Sequence, residues 1–216
     1  MHQSLKYEPE EEIANSILHG FGILASVAGL VILLLRAIRW NNSWMLISFG
    51  IYGGSLILLF LSSTLYHGLP YQKFKKFFRV LDHSSIYILV AGTYTPFTLV
   101  SLRNGWGWAL FGTIWGLAFG GILFHCISHG RFSNVGTVTY ILMGWLSLIV
   151  LHQLLSSIGL VGVILLIVGG LIYSLGVIFY KREGLTYNHA IWHLFVLGGG
   201  ICHFSVVYFF VAPVMN

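Results

Sequence analysis

The chain has 216 residues, of which 57% are hydrophobic and only 8% charged, whereas an ordinary soluble domain carries about a quarter charged residues. That balance excludes a soluble globular fold and points to a polytopic membrane protein. The formal net charge of +5 does not build a nucleic-acid face, because the basic residues are few and sit at the ends of apolar runs, as membrane topology requires.

About 20 apolar residues cross a bilayer as a helix. The opening MHQSLKYEPEEE has no basic n-region and precedes no small-residue cleavage site, so residues 1–13 are expected to form a short polar cytoplasmic segment rather than a removable signal. Apolar segments follow at 14–35, 45–69, 80–102, 107–128, 135–155, 159–180 and 190–213. Between them lie RWNNS, PYQKFKKFFR, RNG, HGRFSN, SSIG and KREGLTYN, each mixing charge, Gly, Pro, Asn or Ser. The prediction is an all-α fold, with one seven-helix transmembrane bundle over 14–216. Cys126 and Cys202 fall inside apolar segments and read as packing residues, with no CxxC pair.

The distribution of Lys and Arg sets the orientation. With seven spans, Lys6, Lys73, Lys75, Lys76, Arg79, Arg131, Lys181 and Arg182 share the side of the N-terminus, and only Arg36, Arg39 and Arg103 face the other. This places the N-terminus in the cytoplasm and the C-terminus outside, the reverse of a G-protein-coupled receptor. The basic stretch KFKKFFR reads as a topology signal and a contact for anionic headgroups.

Polar groups inside spans are costly and mark functional sites by default. Here they gather at one depth. Asn15, Ser16 and His19 open helix 1, while Ser62, Ser63 and His67 end helix 2. Asp82 and His83 are expected in the first turn of helix 3, and His189 and His193 open helix 7. All four groups fall in the cytoplasmic-side layer. Residues at i and i+4 share a helix face, so His189 and His193 can offer two nitrogens to one metal, and His67 a third. Three protein ligands with one open position is the usual arrangement of a catalytic zinc. Asp82 would hold the water or act as general base, and Ser63, one turn before His67, would orient the water or a substrate carbonyl.

Plainer roles exist for the same residues. A buried histidine is often a hydrogen-bonded structural residue, and Asp82 could cap helix 3. Ser62 and Ser63 could be packing hydroxyls, and the glycines at 53–54, 120–121, 169–170 and 198–200 close-packing points. His125 and His129 form a second His-x-x-x-His pair, but His129 sits at a loop edge and no acidic residue is near in sequence. His203 is placed for helix–helix hydrogen bonding.

NSILHG after an acidic stretch, SSTLYH, LDHSSIYILVAGTYTP and NHAIWHLFVLGGGICHF together resemble the hemolysin III family, which belongs with the progestin and adipoQ receptor family. Alkaline ceramidases are more distant relatives in the same wider group of membrane hydrolases. The resemblance runs from about Glu10 to the C-terminus. It implies a zinc site whose ligands fall on His67, His189 and His193, with Ser63 and Asp82 nearby. The receptors carry a long cytoplasmic N-terminal region, whereas about a dozen residues precede helix 1 in this sequence, and a hormone-receptor role is not expected to transfer.

The leading expectation is a Zn2+-dependent hydrolase of a lipid amide or ester, embedded in the bacterial plasma membrane. The alternative is a non-enzymatic lipid or membrane-state sensor with structural zinc, a fourth ligand coming from His19 or Asp82. A cytolytic protein, which the family name implies, would need a continuous polar path that helices 5 and 6 do not supply.

Overall fold

A computed structural model describes residues 8–70, 72–128, 133–182 and 184–212. Among the described residues the chain is all-helical: α1 (Pro9–Arg39), α2 (Ser43–Gly68), α3 (Gln72–Pro96), α4 (Gly105–Ile127), α5 (Ser133–Trp145), α6 (Leu151–Tyr180) and α7 (Asn188–Phe210). Among the described residues, five stretches are long and apolar enough to cross a membrane: α1, α2, α4, α7 and the 47-residue run Asn134–Tyr180. α1 packs along α2, α2 along α3, and α6 along α7, while α7 also closes against α1.

Several boundaries follow from single residues. Asn42 accepts a hydrogen bond from the Met45 N–H (2.9 Å) and starts α2, and Asn104 accepts from Trp106 and Gly107 (3.0 and 3.2 Å) and starts α4. Pro96 has no N–H for the carbonyl of Gly92, and the chain widens into a π-helical turn over Phe97–Ser101, every residue of it buried. The expected break at SSIG coincides with Gly159, whose backbone (φ 70°, ψ 174°) is open to glycine and interrupts α6. Before it, α5 passes through a 3₁₀ turn over Leu146–Val150. The hydroxyl of Tyr94 supports this junction, donating to the carbonyls of Met143 and Gly144 (2.8 Å each) and accepting from the Ser147 N–H at 2.9 Å.

Three expected starts move, that of α6 from 159 to Leu151, since the expected 135–155 span is divided by the 3₁₀ turn and α5 ends at Trp145. α1 begins at Pro9, not at 14, because EEE suits the first turn of a helix that Pro opens. α3 begins at Gln72, eight residues ahead of the expected 80, because KFKKFFRVL contains no Gly or Pro and is helix-compatible despite its charge. Asp82 therefore lies in the third turn of α3 and does not cap it.

The expected glycine contacts divide within each cluster. A Cβ on Gly53, Gly121, Gly169 or Gly199 would meet Leu30, the Tyr87 ring, His203 or the Tyr173 ring at 2.3–2.8 Å, whereas Gly54 and Gly120 face open space. One glycine of each cluster thus lets two helices approach closely. Cys126 and Cys202 are free thiols.

Candidate metal centre

The site lies at the end of the bundle where α1, α3 and α7 begin and α2 ends. His67 comes from the last turn of α2, and His189 and His193 from the first two turns of α7. One ring nitrogen from each falls within 4.8 Å of the other two, and all three residues are buried. Ring centroids stand 4.9 Å apart for His67–His189, 5.2 Å for His67–His193 and 4.5 Å for His189–His193. The i, i+4 spacing accounts for the last of these, and the packing of α2 and α7 against α1 for the other two.

Asp82 and Ser63 stand beside the cluster. Asp82 keeps 14% of its side-chain surface exposed and interacts with Ser63 and with the His67 imidazole. The Nδ1 of His83 stands 3.8 Å from its carboxylate. Ser63 is fully buried. Ser62, by contrast, bonds the Leu59 carbonyl and the Ser85 hydroxyl of α3, which makes it the packing hydroxyl of the pair.

A cavity of about 40 Å³, room for a few waters, is lined by Asp82, His189, His193, His19 and Tyr180. Leu59, Ile86, Tyr140, Val177, Trp192 and Val196 form a wall that it shares with a larger cavity of about 120 Å³. That second space runs between α3, α5, α6 and α7 toward Trp145 and His203, and its lining is overwhelmingly apolar.

Residues that the apolar pattern assigned elsewhere complete the site. The Glu12 carboxylate contacts His67 Nδ1 at 2.5 Å through Oε2 and accepts from the Lys75 ammonium at 2.9 Å through Oε1. Glu11 Oε1 accepts the backbone N–H of His189 at 2.9 Å. Both glutamates are buried, and Asn15 lies beside His67 with Nδ2 at 3.4 Å from Nδ1. KFKKFFR thus has a specific contact through Lys75, beyond the topological role expected of it. EEE precedes the apolar run and so resembles a polar tail, although E-x-x-N-x-x-x-H places Glu12, Asn15 and His19 on one helical face. His19 itself stacks against His193, with centroids 3.6 Å apart.

The other histidines separate from this group. His125 stacks on His83 (5.4 Å, 7° between planes), whose imidazole lines the small cavity beside Asp82, and His129 lies outside the described residues. His203 Nε2 bonds the Leu166 carbonyl of α6 at 3.2 Å, the expected helix–helix bond.

An all-helical, multi-pass membrane protein with three buried imidazoles converging at one end, able to hold a metal ion, is the class that fold and site define. The chain belongs to the family described as Haemolysin-III related, whose model matches residues 7–204. It is 47% identical over 204 residues to "Hemolysin-3" of Bacillus cereus, covering 94% of this chain and 93% of that one. It is 44% identical over 205 residues to the "Hemolysin-3 homolog" of Bacillus subtilis (strain 168), covering 95% and 96%. The human "Monocyte to macrophage differentiation factor" is 31% identical over 215 residues, covering 94% of this chain and 86% of that protein.

Proposed function

We infer that the chain is a zinc-dependent hydrolase of a lipid amide or ester bond, crossing the bacterial plasma membrane seven times with its N-terminus in the cytoplasm and its C-terminus outside. The observation that carries this reading is the convergence of three buried imidazoles beside a carboxylate, with His189, His193 and Asp82 on the wall of a small cavity that adjoins a larger apolar one. Seven crossings are supported by the Asn134–Tyr180 run, long enough for two spans and broken at Gly159, and by α3 once its basic opening turns are set aside. The orientation rests on the excess of Lys and Arg on the side of the site.

The donor set suits zinc, which takes imidazole nitrogen readily. Both ring nitrogens of His193 are buried and have no hydrogen-bond partner among the described residues, an arrangement that costs free energy unless a cation engages one of them. His67, His189 and His193 would hold the zinc, which when bound would supply Lewis-acid polarisation of a carbonyl and a water activated near neutral pH. The chain's own residues do the rest. The Asp82 carboxylate, on the cavity wall, takes up the proton released during attack and returns it to the leaving amine or alcohol. The Ser63 hydroxyl hydrogen-bonds the water or the substrate carbonyl. The apolar cavity behind Trp192 and Val196 takes the acyl chain and excludes bulk water.

Metal analysis of the detergent-purified chain, combined with fatty-acid release from N-acyl sphingoid amides and glycerolipid esters, tests this reading. About one zinc per chain is expected, with release abolished by a chelator and restored by added zinc. A metal-free protein, or release indifferent to chelation, would overturn it.

A second reading has one observation in its favour: His19 presses on His193 as a fourth imidazole of the cluster. If His19 were a ligand, the site would be closed and structural, and the protein a membrane-state sensor. Cobalt substitution separates the two. A His19→Ala change that leaves the d–d spectrum unaltered supports the open site, and one that shifts it supports the closed one.

A further inference from the structure

Two consecutive glutamates of α1 touch both helices that carry the imidazoles. Glu12 reaches His67 Nδ1 of α2, and Glu11 reaches the backbone N–H of His189 in α7. Neither contact is a surface accident, since Glu11 and Glu12 are only 8% and 6% exposed. α7 needs the second contact. Its N-cap, Tyr187, sits in the left-handed region (φ 58°) and gives no side-chain cap; the Asn188 N–H donates to the Leu185 carbonyl, and the carboxylate of Glu11 satisfies the next first-turn donor, His189 N–H.

The contact at His67 decides which ring nitrogen is available. A carboxylate only accepts, so at 2.5 Å Nδ1 must carry the proton and donate it to Glu12. Asn15 Nδ2, at 3.4 Å and itself a donor, cannot compete for that nitrogen. The lone pair then resides on Nε2. Lys75, bonded to the other oxygen of the same carboxylate, keeps Glu12 charged and fixes its orientation.

We propose that Glu12 is the positioning residue of the metal centre: its carboxylate holds the His67 ring through Nδ1 and presents Nε2 as the metal-binding nitrogen. Lys75 and Glu11 keep the first turn of α1 docked on α2, α3 and α7 while it does so. The proposal rests on the metal reading given above. Carboxylates that hold a ligating histidine through its second nitrogen fix ring orientation and raise ligand basicity, and their loss typically weakens metal binding 10–100-fold.

The test uses the full chain in detergent and the metals alone. Zinc affinity is measured by competition with a chromophoric chelator, and the Co2+ d–d spectrum is recorded, for wild type, Glu12→Ala and Glu12→Gln. Gln keeps the accepting oxygen and the volume but not the charge, so it retains the fold if Ala does not. The expected result is zinc binding weakened about 10–100-fold in Glu12→Ala, a smaller loss in Glu12→Gln, and an altered cobalt spectrum in Glu12→Ala. A purely structural role would lower the melting temperature and leave affinity and spectrum as in wild type. Unchanged affinity and spectrum in a folded Glu12→Ala, or in Glu12→Gln where Ala does not fold, overturns this proposal alone. A wild-type chain that binds neither metal overturns it together with the metal reading.

Discussion

The two ends of the bundle are held together by different chemistry. At the end where α1 begins, Glu11, Glu12, Asn15, His19, Ser63, His67, His189 and His193 are all buried, and Lys75 and Asp82 nearly so. At the opposite end, aromatic rings and cations do the joining. Trp44 packs edge-to-face on Trp108 (5.7 Å), Arg103 lies 4.9 Å over Trp44, and Arg36 lies 5.4 Å over Tyr208. Rings and cations of this kind suit a membrane interface, where one face is apolar and the other wet. Buried ionisable groups stabilise a bundle poorly, since desolvation offsets much of their attraction. Concentrating them at one end is therefore costly for stability alone, and their presence there marks a site rather than a fastening.

That contrast can be broken from either side. The largest effect is expected from the double substitution His67→Ala, His193→Ala, which should reduce bound zinc from about one per chain to none by elemental analysis; retained zinc would place the metal elsewhere. Asp82→Asn should keep its zinc and lose about 10²–10⁴-fold in lipid hydrolysis, the usual worth of a general base. If zinc were lost as well, Asp82 would belong to the ligand set. Between the ends, Gly199→Val should drive a side chain into the Tyr173 ring, which a Cβ alone would meet at 2.8 Å. About 1–3 kcal/mol of destabilisation is expected, read as a lowered melting temperature with zinc retained. The smallest effect belongs to the far end. Asn104→Ala removes the cap of α4 and should cost about 1 kcal/mol, with no change in metal content or cobalt spectrum. A far-end change that emptied the metal centre would show that the two ends are one cooperative unit.

How much of this was legible along the chain depended on the range of each contact. Apolar run lengths and the NNS, RNG and SSIG punctuation carry the helices, because capping and glycine conformations are local. His189 and His193 are legible as a pair through their spacing, and His67 joins them once depth is compared. Glu12 is 55 residues from His67 and Glu11 is 178 from His189. No periodicity reports such pairs, and an acidic run ahead of an apolar one reads as solvated tail. Lys75 was obscured in the same way, since a basic stretch between spans is sufficiently explained by topology. The start of α3 is hidden because a dense basic stretch resembles an interhelical break, although Lys, Arg and Phe without Gly or Pro are compatible with a helix.

The joining of α1 to α7 through Glu11 has a consequence for biogenesis. Chains are made and inserted from the N-terminus onward, so α1 and α2 wait in the membrane with Glu11, Glu12 and His67 until α7 emerges after the other six helices. Until that moment only one of the three imidazoles is in place. On the metal reading proposed above, loading would wait for the completion of the bundle, and an occupied centre would certify that its earliest and latest helices had met.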